Sequence, residues 1–329
     1  MKKILALIGF VTICLTIHAQ QDLLLSQQFF SRINKNPAGT GNVTDLDLFL
    51  LGRYQYIEIK DAPRSGVFNA QTFIDKWNSG LGLSISYDQA GPGRSTTNAK
   101  LAYAYTANLT DKMILSLGLS AGILNGYFDP SKYKWADPDE WQQGMDGIPT
   151  DVVNEISPDF DFGFELTTPR FLFGASATHI TNGESTTTVS GRHFYSYIRY
   201  IFPVSESFEL APAAVWMHKP APKMDDITAE KLGITKSGGF KGVDVVELQL
   251  MAFYERFLWG GLTYHPDIHD NFKTNPVAVT VGIEYREFRI GYTFDWAFGD
   301  ASRLSGNAQE LMLSYSISNR NKPQPPRFE

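Results

Sequence analysis

Two absences narrow the class of protein before any motif is considered. The 329-residue sequence has one cysteine, Cys14, which lies in an apolar run at the N-terminus, so the rest of the chain can form no disulfide and carry out no thiol chemistry. After that run the sequence also lacks any stretch of about 20 uninterrupted apolar residues, the length that a transmembrane helix needs. Disulfide-rich secreted proteins and helical membrane proteins are therefore both excluded.

The N-terminus has the composition of an export signal. Lys2 and Lys3 precede an apolar run from Ile4 to Ile17, and a small residue, Ala19, follows shortly after it. We predict a cleaved signal peptide over residues 1–19. Its removal would leave 27 basic residues against 35 acidic ones, a formal charge of −8. A chain this acidic argues against a nucleic-acid partner.

Segments with a two-residue periodicity fill most of the remaining chain. In the clearest of them, the leucines at odd positions from Leu115 to Leu119 alternate with Ser116, Gly118 and Ser120. Such alternation is typical of a β-strand with one apolar and one polar face. Fourteen segments of this kind are predicted as strands, near residues 46–57, 66–74, 80–88, 97–108, 112–122, 158–166, 170–180, 191–201, 207–216, 244–254, 256–264, 276–286, 287–297 and 308–318.

The connections between these segments alternate in length. Those after even-numbered segments are tight, whereas those after odd-numbered segments are longer, up to residues 123–157 and 217–243. Long loops on one side and tight turns on the other are typical of outer-membrane barrels. We therefore predict an all-β fold, a transmembrane antiparallel β-barrel of about 14 strands over residues 43–319, in the outer membrane of a Gram-negative cell. The alternative is a soluble sandwich or barrel, which can show the same alternation.

Residues 20–42, between the signal and the first strand, are too polar for lipid and too short for a domain. A barrel of this size encloses more space than its wall side chains fill, so the segment is a candidate plug. The alternative is a loose periplasmic tail. In either case we expect contacts with periplasmic components here, through Phe29, Phe30, Asn36 and Pro37. At the other end, residues 320–329 are predicted to be a disordered C-terminal tail.

The long connection at residues 125–157 is rich in aromatic residues set among acidic ones. Its Tyr127, Phe128, Trp135 and Trp141 are candidate contacts for an exported partner, because exposed aromatic residues are favoured anchors at interfaces. The alternative is a loop folded over its own barrel mouth, with these rings as a small local core.

Motifs for chemistry are few. His265 and His269 have a spacing that suits a metal only on a helix, and Pro266 argues against one. His179 and His193 lie within predicted strands, but no recognisable motif pairs them with a serine. We therefore expect no catalytic site, no metal site and no cofactor. Glu284 and Arg286 share one face of the twelfth segment, and Arg289 and Asp295 share one face of the thirteenth. We therefore expect cross-strand charge pairs, which could fix the register or tune a pore.

An ordered series of short motifs runs from about Gln20 to Ile317 and resembles one known family. The series contains Ser26–Phe30, Asn34–Gly39, Arg53–Tyr56, Asp61–Pro63, Gly80–Gly91, Ala102–Tyr105, Leu115–Gly122, Ser157–Gly163 and Gly174–Asn182. It is similar to the PorP/SprF family of type IX secretion membrane proteins. Two positions depart from the family pattern: Tyr56 stands where a tryptophan is expected, and the aromatic-rich form of the first motif is reduced to Phe29 and Phe30.

The resemblance implies a role that periodicity alone cannot supply. It implies an outer-membrane barrel of type IX secretion that either joins the machinery to the membrane or retains one large secreted surface protein. The implied partners are outer-membrane lipid, periplasmic or peptidoglycan-linked secretion components, and a secreted protein with a C-terminal sorting domain. The alternative function is a passive porin or a transporter of hydrophobic solutes, because barrels host many unrelated functions.

Overall fold

A wall of fourteen strands is formed by the described residues, with a two-residue piece, Phe202–Pro203, that continues the eighth. The computed structural model describes residues 25–42, 46–57, 61–133, 151–181, 191–220, 243–255, 257–266, 277–296 and 307–317. The strands are β1 (Leu46–Gln55), β2 (Arg64–Ile74), β3 (Ser79–Gln89), β4 (Arg94–Thr110), β5 (Met113–Phe128), β6 (Val153–Thr167), β7 (Phe171–Thr178), β8 (His193–Tyr200), β9 (Phe208–Lys219), β10 (Val243–Tyr254), β11 (Leu258–Tyr264), β12 (Val277–Tyr285), β13 (Phe288–Trp296) and β14 (Ala308–Ile317).

The wall closes on itself. Consecutive strands pair antiparallel, and β1 pairs with β14 from Leu46↔Ile317 to Gln55↔Ala308. Across the long connection at residues 220–242, β9 pairs with β10 along its whole length, from Phe208 to Lys219. A closed antiparallel barrel satisfies its backbone hydrogen bonds between strands, as a bilayer requires. The predicted fold class and strand number are confirmed.

The two faces of the wall have opposite chemistry. Large apolar side chains point outward and are well exposed, with Leu101 at 69% and Leu119 at 59%. The inward positions hold buried polar and charged residues, such as Asn69, Asp159 and Glu165. A soluble sandwich would bury its apolar face instead, so this arrangement excludes that alternative and fits a wall surrounded by lipid.

Connection lengths follow the predicted alternation with one exception, because β3 leads to β4 through only four residues, 90–93, as few as connect β2 to β3. Two strand ends also differ from the prediction. β2 leads to β3 through the short 3-10 turn Asp75–Trp77, and β12 leads to β13 through Arg286 and Glu287 alone. The predicted loop at residues 123–157 was too long, because β5 continues to Phe128 and β6 begins at Val153. The leucine alternation stops before these ends, but backbone pairing continues to Phe128↔Val153, and Asn125 Nδ2 donates to Asn154 Oδ1 at 2.7 Å.

One irregularity has a local cause. The eighth strand is interrupted at Ile201, beside the stretch of β9 that contains Pro212. Proline has no backbone N–H to donate to a neighbouring strand. On the β7 side the pairing continues past this point, because the Ile201 N–H donates to the Arg170 carbonyl oxygen at 2.8 Å. Within the described residues, helical structure is confined to short 3-10 turns, and no helix has the length and apolar character needed to cross a membrane.

Candidate functional site: a segment inside the barrel

Residues 25–42 lie in the interior of the barrel and contact its wall on several sides. The Ser26 N–H donates to Glu310 of β14 at 3.0 Å, and Gln28 Nε2 donates to Glu247 of β10 at 2.9 Å. Further along the segment, Asn36 Nδ2 donates to the Phe164 carbonyl oxygen of β6 at 3.0 Å. Since β6, β10 and β14 are well separated around the circumference, only a chain in the lumen can reach all three. We call residues 25–42 the lumen segment.

Two 3-10 turns shape the lumen segment, at Gln28–Phe30 and Pro37–Gly39. Asn36 caps the second turn because its Oδ1 accepts the Ala38 N–H at 2.9 Å, and Pro37 occupies the first position of the turn, where no N–H is needed. Gly41 then takes a φ of 74°, a left-handed conformation that favours glycine, as the chain leads toward β1. The asparagine, proline and glycine of this stretch therefore set the path of the chain.

Glycines on the inner wall leave room for the second turn. Gly118 of β5 and Gly163 of β6 are direct cross-strand partners. A Cβ at Gly118 would lie 2.1 Å from the Ala38 nitrogen, and one at Gly163 would lie 2.1 Å from Asn36 Oδ1. Both distances are well inside van der Waals contact, so the backbone of the segment lies directly against the wall at Gly118, and the Asn36 side chain does so at Gly163.

Apolar side chains of the segment pack on an inner wall that is apolar in places. Phe29 packs in a buried cluster with Leu172, Tyr197, Ala213 and Val215. A second cluster joins Leu25 to wall residues of β1, β2, β9, β10, β11 and β14, with Phe30 packed against it: Phe49, Leu51, Val67, Ala211, Met251, Trp259 and Met312. Burial of these side chains favours the docked segment, at about 1.5–3 kcal/mol for each large side chain that is fully buried.

Charged side chains fix the segment between these apolar contacts. Arg32 Nε lies 2.7 Å from Glu165 Oε1, and Asn42 Nδ2 donates to the other carboxylate oxygen at 2.6 Å. The Tyr197 hydroxyl also donates to Glu165. Near the other end, Arg53 bridges Asp295 and Glu310 at 2.5 Å each, and Glu310 in turn accepts the Ser26 N–H. Buried charges of this kind are tolerated because each one has partners.

A separate polar group lies on the inner wall between β4, β6 and the end of β7. Lys100 Nζ lies 2.8 Å from Asp159 Oδ2 and 2.7 Å from Asp161 Oδ2. His179 Nδ1 lies 2.9 Å from Asp159 Oδ2, and Ser120 donates to Asp161 at 2.6 Å. All these residues are buried. We call Asn98, Lys100, Asp159, Asp161 and His179 the β4–β6 cluster.

The structure places the predicted partner contacts of the segment against the barrel itself. Phe29, Asn36 and Pro37 are buried and Phe30 is partly buried, with contacts to Tyr197, Phe164 and Trp259 of the wall. The interior of the barrel encloses these side chains, and their contact with a partner stays a prediction.

The four aromatic residues predicted as partner contacts at residues 125–157 do not all belong to a loop. Tyr127 and Phe128 belong to β5, and Phe128 is buried with its ring centre 5.8 Å from that of Tyr133. The hydroxyl and the backbone N–H of Ser131 both donate to the Asp129 carboxylate, and these hydrogen bonds lower the pKa of that carboxyl. Asp129 is thereby the N-terminal cap of the 3-10 turn Pro130–Lys132. Trp135 and Trp141 lie outside the described residues.

Several other sequence predictions have a definite outcome. Arg289 Nη2 lies 2.6 Å from Glu284 Oε2, so the cross-strand ion pair is confirmed. His265 Nε2 lies 3.2 Å from Glu247 Oε2, whereas His269, the signal peptide at residues 1–19 and the tail at 320–329 lie outside the described residues.

Sequence reasoning missed Glu165 as the main charged anchor of the segment. Its only signal was an inward position on a strand with acidic neighbours on the same face.

Comparison with solved structures gives outer-membrane barrels at low sequence identity. Omp33 of Acinetobacter baumannii is 9% identical with a TM-score of 0.47, and the match covers 84% of this chain and all of that one. The toluene transporter TodX of Pseudomonas putida is 10% identical with a TM-score of 0.47, over 90% and 94% of the two chains. A FadL homologue of Pseudomonas aeruginosa is 12% identical with a TM-score of 0.45, over 85% and 92%. No curated protein matches the chain.

Comparison with protein families is more specific. The family model for type IX secretion system membrane protein PorP/SprF matches residues 17–315 of the 329. The match includes the whole lumen segment and the glycines and charged residues of the wall that receive it. Since the matched region contains both the closed barrel and the segment inside it, the chain belongs to the PorP/SprF family of type IX secretion system membrane proteins.

Proposed function

We propose that this barrel acts without chemistry, as a docking or anchoring component that holds secretion machinery or a secreted surface protein at the outer membrane. One observation carries the proposal: the interior is occupied by the protein's own lumen segment, which is held to β6, β10 and β14 by hydrogen bonds. A filled interior leaves little room for a continuous solute path, which favours a role carried by the outer surfaces and loops. Membership of a type IX secretion family supplies the machinery to which such surfaces would bind.

The contacts of the segment favour a permanent resident over a transient one. Ser26 is held at three polar points, because its N–H binds Glu310, its hydroxyl donates to Asp295 at 3.4 Å, and its carbonyl oxygen accepts from Gln249 at 2.7 Å. Removal of the segment would break these three contacts, at a cost of about 0.5–1.5 kcal/mol for a typical hydrogen bond and more where a charged group takes part, although Arg53 would still pair with Asp295 and Glu310. The expected partners are periplasmic or peptidoglycan-linked secretion components, or a large secreted protein with a C-terminal sorting domain.

A transport role is the alternative, and one feature favours it. The inner wall has an apolar surface at Leu172, Ala213 and Val215, which could receive a hydrophobic solute. Phe29 covers that surface, so a solute would have to displace the ring and the turn that holds it. The docking role requires no such displacement and is therefore preferred.

The first test identifies the partner. The tagged full-length protein is purified from gently solubilised outer membranes, and co-purifying proteins are identified by mass spectrometry against an unrelated outer-membrane barrel as control. The proposal expects enrichment of type IX secretion components or of one large secreted protein with a sorting domain. Recovery of the barrel alone would argue for the transport alternative.

The second test measures conductance. Wild-type protein in planar bilayers is expected to conduct weakly, because the lumen segment occupies the interior. A stable, strongly conducting open pore would contradict the docking proposal and support transport. Phe29→Ala, which removes one ring from the interior and keeps the rest of the lumen segment, supplies the comparison with a more open lumen, provided that the variant still shows heat-modifiable migration on a gel.

A further inference from the structure

The β4–β6 cluster contains more acceptors than its own donors satisfy. Asp159 Oδ2 receives Asn98 Nδ2 at 2.7 Å, Lys100 Nζ at 2.8 Å and His179 Nδ1 at 2.9 Å. The other oxygen of the same carboxylate, Oδ1, is buried and has no hydrogen-bond partner among the described residues. A carboxylate with three donors on one oxygen and none on the other lacks a ligand on one side.

Other buried oxygens around Asp159 share this condition. Asn98 is 9% exposed, and its Oδ1 has no partner within the described part of the chain, although its Nδ2 binds the cluster. Ser157 Oγ and Thr178 Oγ1 are likewise buried without a partner there. Ser157 lies two residues before Asp159 on β6, and Thr178 directly precedes His179. Unsatisfied acceptors concentrated at one place indicate an absent positive group or donor.

The arrangement of charged groups identifies the class of that ligand. The ligand atoms of Asp159, Asp161 and His179 all lie within 4.8 Å of one another, close enough for small side-chain movements to bring them to bond lengths of about 2.0–2.2 Å around a single ion. We propose that Asp159, Asp161 and His179, with the Asn98 amide oxygen, form a site for one divalent first-row cation, zinc or manganese. Two carboxylates and an imidazole are a donor set that these ions accept.

Lys100 occupies this site in the structure. Its ammonium lies 2.7–2.8 Å from both carboxylates and serves as the cation that the cluster needs when no metal is bound. Lys100 also borders a polar cavity that Asn34, Ser84 and Ser86 help to line. Lys35 borders the same cavity. When a metal enters the site, the Lys100 ammonium would turn into this cavity, toward the hydroxyls of Ser84 and Ser86 and the side chain of Asn34.

The backbone holds the imidazole in place. His179 takes a φ of 55°, and its N–H donates to Asp161 Oδ1 at 3.0 Å. The ring lies 5.7 Å, between ring centres, from that of His193. This position follows β7 and is separate from the contacts of Ser26, Arg32 and Asn36, so the site does not depend on the proposed docking function.

The first experiment measures metal content. The full-length protein is purified from outer membranes in detergent without chelator, and bound metals are measured by plasma mass spectrometry. The chelated protein is then titrated separately with zinc, manganese and calcium. We expect about one equivalent of zinc or manganese, with affinity about 10-fold or more weaker in Asp159→Asn and Asp161→Asn. Asp47→Asn, a buried lumen carboxylate outside the cluster, is the matched control and should bind as wild type does.

Two further variants separate a metal site from a structural ion pair. Asn98→Ala keeps the contacts of Lys100 with both carboxylates but removes the proposed amide ligand. Its affinity for the metal should therefore be about 10-fold weaker than that of wild type. Lys100→Met removes the competing cation and should bind metal about 10-fold more tightly. Gel migration before and after heating verifies that each variant is folded. The proposal is overturned if wild type and Lys100→Met both bind less than about one tenth of an equivalent, or if Asp47→Asn loses metal as fully as Asp159→Asn.

Discussion

The two halves of the lumen segment are held in different ways. Residues 25–30 bind largely through side chains, with Leu25, Phe29 and Phe30 in apolar clusters and Gln28 on Glu247. Residues 36–41 bring their backbone against the backbone of the wall, at Gly118 and Gly80. Side-chain contacts can be repacked when a residue changes, whereas two backbones in contact cannot move apart without displacing a strand. The second half should therefore tolerate substitution of the wall less well.

The largest effect is expected where the backbones meet. Gly118→Val would place its Cβ 2.1 Å from the Ala38 nitrogen, so either the turn or β5 must move. We expect no folded barrel, measured as loss of heat-modifiable gel migration. Gly52→Val is the matched control, since Gly52 faces outward on β1 with nothing within 4 Å of its Cβ position. Equal folding of the two variants would contradict close backbone contact.

The next effect concerns the buried charge that anchors the middle of the segment. Glu165→Ala removes the partner of Arg32 and of the Tyr197 hydroxyl, and should cost about 3–5 kcal/mol because a buried guanidinium is left without its carboxylate. The free energy of unfolding in urea gives the value. Glu284→Ala breaks the Arg289 pair at a more exposed position and should cost about 1 kcal/mol or less. A similar loss of stability in the two variants would show that Glu165 holds the segment no more strongly than a surface ion pair does.

A loss of about 3 kcal/mol in the free energy of unfolding is expected from a change in residues 25–30, which bind through side chains. Phe29→Ala leaves a cavity between Tyr197, Leu172 and Val215, and the same change should raise single-channel conductance in planar bilayers. Phe288→Ala, an exposed ring on the outer face, is the control for loss of an aromatic residue and should leave conductance unchanged. Unchanged conductance in Phe29→Ala would show that Phe29 does not restrict the interior.

The smallest effect is expected at the cap of the second turn. Asn36→Ala loses the bond to the Ala38 N–H and the bonds to the Phe164 carbonyl and Tyr197 hydroxyl, and should cost about 2 kcal/mol. Asn125→Ala, which breaks the exposed pair with Asn154, should change the free energy of unfolding by about 0.5 kcal/mol or less. If the two changes cost the same, the turn is not held by its cap.

The wall could be predicted from the sequence because its signal is local. Alternation along β5 assigns Leu117 and Leu119 to lipid and Ser116 and Ser120 to the interior without knowledge of any other strand. The ends of β5 and β6 were missed because the simple alternation of leucine with small residues stops at Gly122, whereas backbone pairing continues to Phe128↔Val153.

The contacts of the segment could be predicted only in part. Asn36 and Pro37 are residue types that favour a turn, so the turn itself could be predicted. The neighbouring sequence does not show which wall residues the turn contacts. Arg32 and Glu165 are 133 positions apart, and their contact depends on how the closed barrel folds around the segment. The β4–β6 cluster was missed for the same reason, since Lys100, Asp161 and His179 come from three different strands or strand ends.

The close fit at Gly118 and Gly163 has a consequence for how the barrel unfolds. Here the wall and the segment complete each other's hydrogen bonds and apolar contacts. Docking of residues 25–42 and formation of the β1–β14 pairing should therefore be one cooperative event. Heating or denaturant should remove both together in a single transition, as in a soluble protein with one core.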